Sequence, residues 1–514
     1  MTTLAPASQT LLRDALAVLQ PGFTGTTAPA WLLRQLDEGL TSVGLFGRNI
    51  ESAEQLAALT AELRAVRPDV LVAVDEEGGD VTRLEARTGS SFPGNLALGA
   101  VDDPALTRAV ARELGRRLAA CGVNLNWAPS ADVNSNPDNP VIGVRSFGAE
   151  PERAARHTAA YVEGLQAAGV AACTKHFPGH GDTNVDSHHA LPRIDVDLGT
   201  LGERELVPFR AAVEAGSKSI MSAHILLPAL DPELPATLSF PALTGLLRAP
   251  VAEGGLGFEG VIVTDAVEMG AIADHHGVER GTVLAIAAGA DAVCVGGHLA
   301  DEETVLNLRD ALVRAVREGE LDAARLADAA ERVRALGRWA VERAEAARAD
   351  APADPEVGLA AARRALRATP ADGTSWQPLD AAPYVAAFTP VANIAVGDQT
   401  PWGVAAELER LLPGTATGSW SRAEAEAAGA SGVAESVLAE AGDRRVVAVV
   451  RDLHRHPWMA AAVEALLAAR PDSVVVEMGV PQAPPTGALH LVTHGAARVC
   501  GRAAAEVIAG RRES

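Results

Sequence analysis

Short apolar runs alternate with longer amphipathic stretches through the first two-thirds of the chain. Eight runs are strand-like: "LAVLQPGF", "VGLFGRNI" from Val43, "VLVAVDEEGG" from Val70, "VNLNWAPSADV" from Val123, "VAACTKHFPGH" from Val170, "SIMSAHI" from Ser219, "GVIVTDAVEMG" from Gly260 and "ADAVCVGG" from Ala290. Between them lie segments with helical spacing, such as "SAEQLAALTAELRAV" and "PERAARHTAAYVEGLQAAG". Strands alternating with helices predict right-handed βαβ units and a parallel sheet. Eight of them over about 300 residues predict a (β/α)8 TIM barrel, with a doubly wound open sheet as the alternative. From about residue 321 the pattern reads as one long closing helix, and "APADPEVG" (351–358) breaks the periodicity as a linker would. Further strand signals follow at "YVAAFT", "RRVVAVVR", "SVVVEM" and "ALHLVT", with helices between them. The expected organisation is therefore α/β throughout: a barrel over 1–345, a linker over 346–357 and a smaller α/β domain over 358–514. The second domain carries no Walker sequence, dinucleotide fingerprint or zinc spacing. Its "RDLHRHP" (451–457) reads as an exposed loop rather than a ligand set.

Composition narrows the class. A chain of 514 residues with 48% hydrophobic and 21% charged residues fits a soluble globular protein. Its net charge of −22 argues against nucleic acid as a partner, since phosphate binding needs concentrated positive charge. The chain has no apolar run of some 18 residues or more, so no membrane span is expected. The N-terminal "MTTLAPASQTLLRDALAVLQPG" lacks the basic start, apolar core and cleavage site of an export signal. Four dispersed cysteines without a C-x-x-C read as reduced thiols and suggest the cytoplasm.

The chargeable residues are not scattered. Asp75, Asn126, Lys175, His176, His224 and Asp265 each stand at the carboxyl end of an apolar run. In a barrel those ends meet at one rim, where the βα loops build active sites. The densest cluster is "TKHFPGHGDTNVDSHHALP" (174–192), which holds four of the thirteen histidines. His176 and His180 have the H-x3-H spacing of a helical metal site, but Pro178 and Gly179 between them disfavour a helix, so no metal is expected. A surface turn does not need the apolar strand that leads into Lys175. As a catalytic loop, the stretch offers Asp186 and His188 two positions apart, projecting to one side of an extended segment. The carboxylate can accept the Nδ1–H and leave the other ring nitrogen to shuttle a proton. Asp265, directly after a buried strand, can serve as a nucleophile or stabilise a cationic transition state. Such a carboxylate facing a mobile acid/base is the layout of retaining glycoside hydrolysis, here with an Asp–His pair in place of the second carboxylate.

Together "KHFPGHGDTNVDSH" (175–188), "DEEGGDVTR" (75–83), "NLNWAPSADV" (124–133), "VIGVRSFG" (141–148) and "VIVTDAVEM" (261–269) resemble glycoside hydrolase family 3, in its NagZ-like β-N-acetylglucosaminidase branch. The resemblance spans about residues 10–340 in order. It implies a (β/α)8 barrel, often followed by an α/β domain, with no cofactor. It also implies Asp265 as nucleophile forming a covalent glycosyl-enzyme, His188 as general acid/base and Asp186 as its orienter. Asp75 would hold hydroxyls of the terminal sugar, with Arg83, Arg145, Lys175 and His176 as further contacts. One position departs: Asp80 stands where Arg or Lys is commoner in the family, which points to an effect on a neighbouring subsite rather than on the reaction. The function implied is release of terminal β-linked N-acetylglucosamine from cell-wall or chitin fragments. The competing enzymatic reading is phosphorolysis, because a histidine acid/base need not repel phosphate. A lectin-like barrel would require loss of Asp265, Asp186 or His188, and all three are present.

Overall fold

The computed structural model describes residues 6–185, 191–347, 353–372, 375–391, 395–396 and 399–511. The chain divides into two compact units. One comprises Met1–Glu77, Pro104–Ile142 and Ala149–Asp354, and the other Gly78–Asp103, Gly143–Gly148 and Pro355–Ser514. Two excursions from the barrel half thus fold with the C-terminal residues, a grouping that no local pattern announces.

The first unit is a barrel of eight parallel strands: β1 (Leu19–Pro21), β2 (Ser42–Leu45), β3 (Leu71–Val74), β4 (Leu125–Asn126), β5 (Ala171–Phe177), β6 (Ser219–Ser222), β7 (Val261–Thr264) and β8 (Val293–Val295). Each coincides with one of the eight apolar runs. β2 to β7 pair in sequence order and β1 pairs with β8. The bridge Val263–Ala292 joins β7 towards β8, and Ser42 Oγ donates to the Leu19 carbonyl at 3.1 Å beside β1. Every residue of these strands is buried, because helices cover the outside and side chains fill the inside; continuous apolar runs are what such strands require. Leu71, Leu125, Trp127, Cys173, Met221, Val263 and Cys294 form part of one interior cluster. Trp127 donates its Nε1–H to Gln20 Oε1 at 3.2 Å, a partner that lets an indole sit fully inside.

The long helix Ala323–Ala347 adds Val333, Leu336 and Ala340 to the same cluster. Its Arg332 donates to the Glu259 carbonyl just before β7, so it runs across the amino ends of the strands. At that end Asp291 is fully buried between the guanidinium groups of Arg248 and Arg325. A charge at this rim is neutralised in place.

The second unit carries a six-stranded sheet in the order β11-β10-β12-β13-β14-β9. Its strands are β9 (Arg367–Pro370), β10 (Tyr384–Thr389), β11 (Ala416–Ser421), β12 (Val446–Val450), β13 (Val474–Glu477) and β14 (Leu489–Val492). Five are parallel and edge strand β9 is antiparallel. One face packs on Leu359, Leu408, Val499 and Ile508, the other on Val437, Met459 and Val463, as in doubly wound sheets. The "RDLHRHP" stretch is half-buried rather than exposed. The Asp452 and Leu453 amides there donate to the Glu477 carboxylate at 2.9 and 3.1 Å, and that coupling to β13 is invisible in the local sequence.

The excursion 143–148 is pinned by close approach. A Cβ at Gly99, in the helix Asn95–Val101, would lie 1.9 Å from the Phe147 carbonyl oxygen. Gly99→Ala should therefore destabilise the second unit by about 1–3 kcal/mol through overpacking. Denaturant unfolding followed by circular dichroism measures this; an unchanged midpoint would show that the 143–148 segment yields freely.

Candidate active site

Four of the expected site residues emerge at the carboxyl ends of barrel strands. Asp75 follows β3, Lys175 and His176 lie in β5, and Asp265 follows β7. Alternate strands of a barrel feed the same side-chain layer, so odd strands are suited to bring these groups together. Lys175 Nζ lies 2.5 Å from Asp75 Oδ1 and 2.7 Å from Glu77 Oε1. The ammonium and the Glu77 carboxylate are each only 3% exposed, while Asp75 is 24% exposed at the mouth. The Asp75 carboxylate is thus held by a buried cation with one edge towards solvent.

The thiol of Cys173, two residues before Lys175 on the same face, reports on the groups above it. Burial pushes it up to about 12; the Ser219 hydroxyl and Lys175 oppose this, and Asp75 and Asp265 both add to it. Both carboxylates therefore act within range of one buried atom. Asp265 is half-buried, and its Oδ1 accepts the Ala266 amide at 2.8 Å. The Ala266 carbonyl is in turn bound by His224 Nε2 at 2.9 Å, and His224 Nδ1 meets Thr237 Oγ1 at 2.9 Å. His224, from the end of β6, thereby steadies the residue whose amide orients Asp265.

The histidine-rich stretch begins inside the protein. Residues 171–181 are buried, which removes the surface-turn reading for that part. Its organiser is Asp132, a fully buried carboxylate that the sequence reading did not single out. Asp132 Oδ2 contacts His176 Nδ1 at 2.7 Å and accepts from Ser130 Oγ at 2.9 Å. Its Oδ1 accepts the backbone amides of His176 at 3.2 Å and His180 at 2.7 Å. Burial alone would raise the Asp132 pKa, but His176, with help from His180, holds it well below the usual carboxylate range. His180 is pushed down to about 4, by burial first and by His176 beside it. The H-x3-H pair is thus organised around one carboxylate, with ring centroids 6.0 Å apart. Asp186 and His188 fall within 186–190 and lie outside the described residues.

Arg83 and Arg145 belong to the second unit. Arg83 donates to the Ala395 carbonyl at 2.7 Å. Arg145 is buried, and its carbonyl accepts from Asn95 Nδ2 at 2.7 Å. The structure also accounts for Asp80: it is buried in the second unit and forms an ion pair with Arg451.

Two further carboxylates were missed. Glu268, three residues after Asp265, accepts the amides of Gly296 at 2.8 Å and His298 at 3.2 Å, and that of Gly297, so it caps the turn after β8. Glu205 is buried, packs against Gly179 and pairs with Arg204 at 2.7 Å, while Arg204 reaches Asp182 at 2.7 Å. Asp132 shared the signal that marked Asp75 and Asp265, a carboxylate shortly after an apolar run. Glu205 had none, since it reads as an ordinary helix-surface glutamate.

The glycosyl hydrolase family 3 N-terminal domain matches residues 27–336. The β-hexosaminidase A of Pseudoalteromonas piscicida is 39% identical over 269 residues, a stretch covering 48% of this chain and 44% of that one. The chain therefore spans less than half of that relative. The β-hexosaminidase of Alkalilimnicola ehrlichii is 40% identical over 260 residues, covering 49% of this chain and 73% of the relative. A solved family 3 β-N-acetylglucosaminidase from Paenibacillus sp. str. FPU-7 is 33% identical with a TM-score of 0.83, covering 99% of this chain and 98% of that one. The chain belongs to glycosyl hydrolase family 3, and with it to the glycoside hydrolases.

Burial raises the Glu205 carboxyl from 4.5 to about 7, against the pull of Arg204. The folded state therefore binds a proton there that the unfolded chain has released, and its stability falls as pH rises from 4.5 through 7. Glu205→Gln removes that dependence. Its melting temperature relative to the native protein should rise between pH 5 and pH 8, by the equivalent of at most roughly 3 kcal/mol. A difference that stays level across thermal melts in this range would show Glu205 to be ionised throughout.

Proposed function

We propose that the protein is a retaining β-N-acetylhexosaminidase that removes terminal, non-reducing β-linked N-acetylglucosamine from cell-wall or chitin-derived fragments. Asp265 attacks the anomeric carbon while His188, oriented by Asp186, protonates the departing glycosidic oxygen. The covalent glycosyl-aspartate is then hydrolysed by a water that His188 deprotonates. Asp75 accepts from hydroxyls of the terminal ring, and Lys175 holds it in place. Arg83, Arg145 and His176 supply further contacts to that ring. Hydrogen bonds to charged groups contribute roughly 1.5–3 kcal/mol each, so a few of them position one ring firmly.

The observation that carries this reading is the half-buried carboxylate of Asp265 at the end of β7, in a barrel whose strand β5 places Lys175 against Asp75 at the same carboxyl ends. Its oxygen is oriented by the adjacent Ala266 amide. The likeness to a β-N-acetylglucosaminidase along nearly the whole chain supports the choice of sugar. Among the described residues no helix is long and apolar enough to cross a membrane. All four cysteines are buried free thiols, which fits our inference of a reducing cytoplasm.

Trapping with a 5-fluoro N-acetylglucosaminide tests the mechanism directly: the labelled residue should be Asp265, and a label elsewhere overturns the assignment. Asp265→Ala should lower kcat by about 10⁴-fold or more. The released sugar should be N-acetylglucosamine with or without added phosphate; a sugar 1-phosphate as main product would reverse the reading. His188→Ala should slow substrates with poor leaving groups by about 10²–10⁴-fold while leaving activated aryl glycosides far less affected. Equal losses on both would remove His188 as the acid.

A further inference from the structure

Arg83 is placed in the sugar subsite by the reading above, yet it folds with the second unit. The turn that carries it is built for a fixed position. Gly78 and Gly79 have φ of 77° and 66°, and Gly78 bridges Val81 antiparallel. At Gly79 a Cβ would lie 2.4 Å from the Gly94 Cα, so the backbone closes tightly there. Asp80 sits at the tip with its side chain only 2% exposed, and both its oxygens are engaged by the C-terminal residues. Oδ1 accepts the Ala496 amide at 2.7 Å, and Oδ2 meets the Arg451 guanidinium. Arg451 leaves the end of β12 and stacks over the Trp402 ring at 5.2 Å, which fixes the plane of its fork.

From these contacts we infer that Arg451 is a positioning residue for the sugar subsite: it neutralises Asp80 and thereby holds the turn that presents Arg83. The inference rests on Arg83 being a sugar contact. Without its counter-ion, Asp80 becomes a buried uncompensated carboxylate, and at a pH that keeps it ionised the turn relieves this by moving it towards water. Arg83 is three residues further along and moves with the tip. A displacement of about 1 Å in a binding group is enough to cost around 10²-fold.

The test uses full-length protein and an aryl N-acetylglucosaminide. Arg451→Met removes the charge and keeps the aliphatic stem. It should raise KM about tenfold or more with a smaller change in kcat, and speed hydrogen exchange in peptides from 78–92 but not in those from β5. In an Arg83→Ala background the same substitution should change KM less than about twofold. Arg451→Lys, which keeps the cation, should retain much of the affinity that Arg451→Met loses. Should Arg451→Met fail to fold, Arg451→Gln removes the same cation, leaves Asp80 without its counter-ion and is read in the same way. Unchanged KM with unchanged exchange overturns the inference, as does an equal KM rise with and without Arg83. If Arg83→Ala alone leaves kcat/KM at the native level, the sugar contact is wrong, and faster exchange in 78–92 then decides the positioning claim by itself.

Discussion

The ion pairs of Lys175 with Asp75 and Glu77 are the constraint on which the barrel mouth depends. A lone ammonium inside a barrel is costly to bury, and so is a lone carboxylate. Here one cation from β5 answers two anions from the chain leaving β3. Removing Lys175 strands the buried Glu77 carboxylate, at a cost of about 3–5 kcal/mol, whereas loss of either carboxylate leaves the ammonium paired with the other. The arrangement also brings Asp75 to the mouth in a defined orientation. What stabilises the interior and what presents a carboxylate to a ligand are one interaction.

The same economy recurs around it. Asp132 uses its two oxygens on His176, Ser130 and the His180 amide, so one buried carboxylate sets both the ring of His176 and the course of the chain that follows. His224 steadies the peptide beside Asp265. The opposite rim makes the contrast clear. There Asp291 is enclosed by two arginines and has no exposed edge. At the carboxyl ends Asp75 and Asp265 are held yet keep an exposed edge, whereas Asp291 at the amino ends is held and closed off, which is the asymmetry expected of a barrel enzyme.

The second unit changes how the chain's division of labour is understood. The residues between Gly78 and Asp103 come from the barrel half in sequence, but they contact Arg451 just after β12, Ala496 after β14, and the helices Val357–Ala365 and Arg498–Ala509. Arg498 donates to Ser91 Oγ at 2.6 Å and Arg364 pairs with Asp103 at 2.9 Å, so the excursion is tied along its length. A sheet without nucleotide or metal signatures thus has a structural task of its own.

Eight apolar runs set eight strands, because a strand buried on both faces needs an unbroken apolar run wherever it sits. The long closing helix and the charged groups at the carboxyl ends were equally legible, since each depends on residues adjacent in the chain. Asp75, Lys175, His176 and Asp265 could be picked out for that reason. Asp132 as organiser, Glu205 beneath Gly179, Glu268 over the turn after β8 and the Asp80–Arg451 pair could not. Each acquires its role from a partner tens or hundreds of residues away, and burial gives that partner its strength. The amino-acid order by itself determined which segments are strands and which ends carry charge. Only the tertiary structure decided which charges meet, because the cost of an unpaired ion exists only once water has been excluded around it.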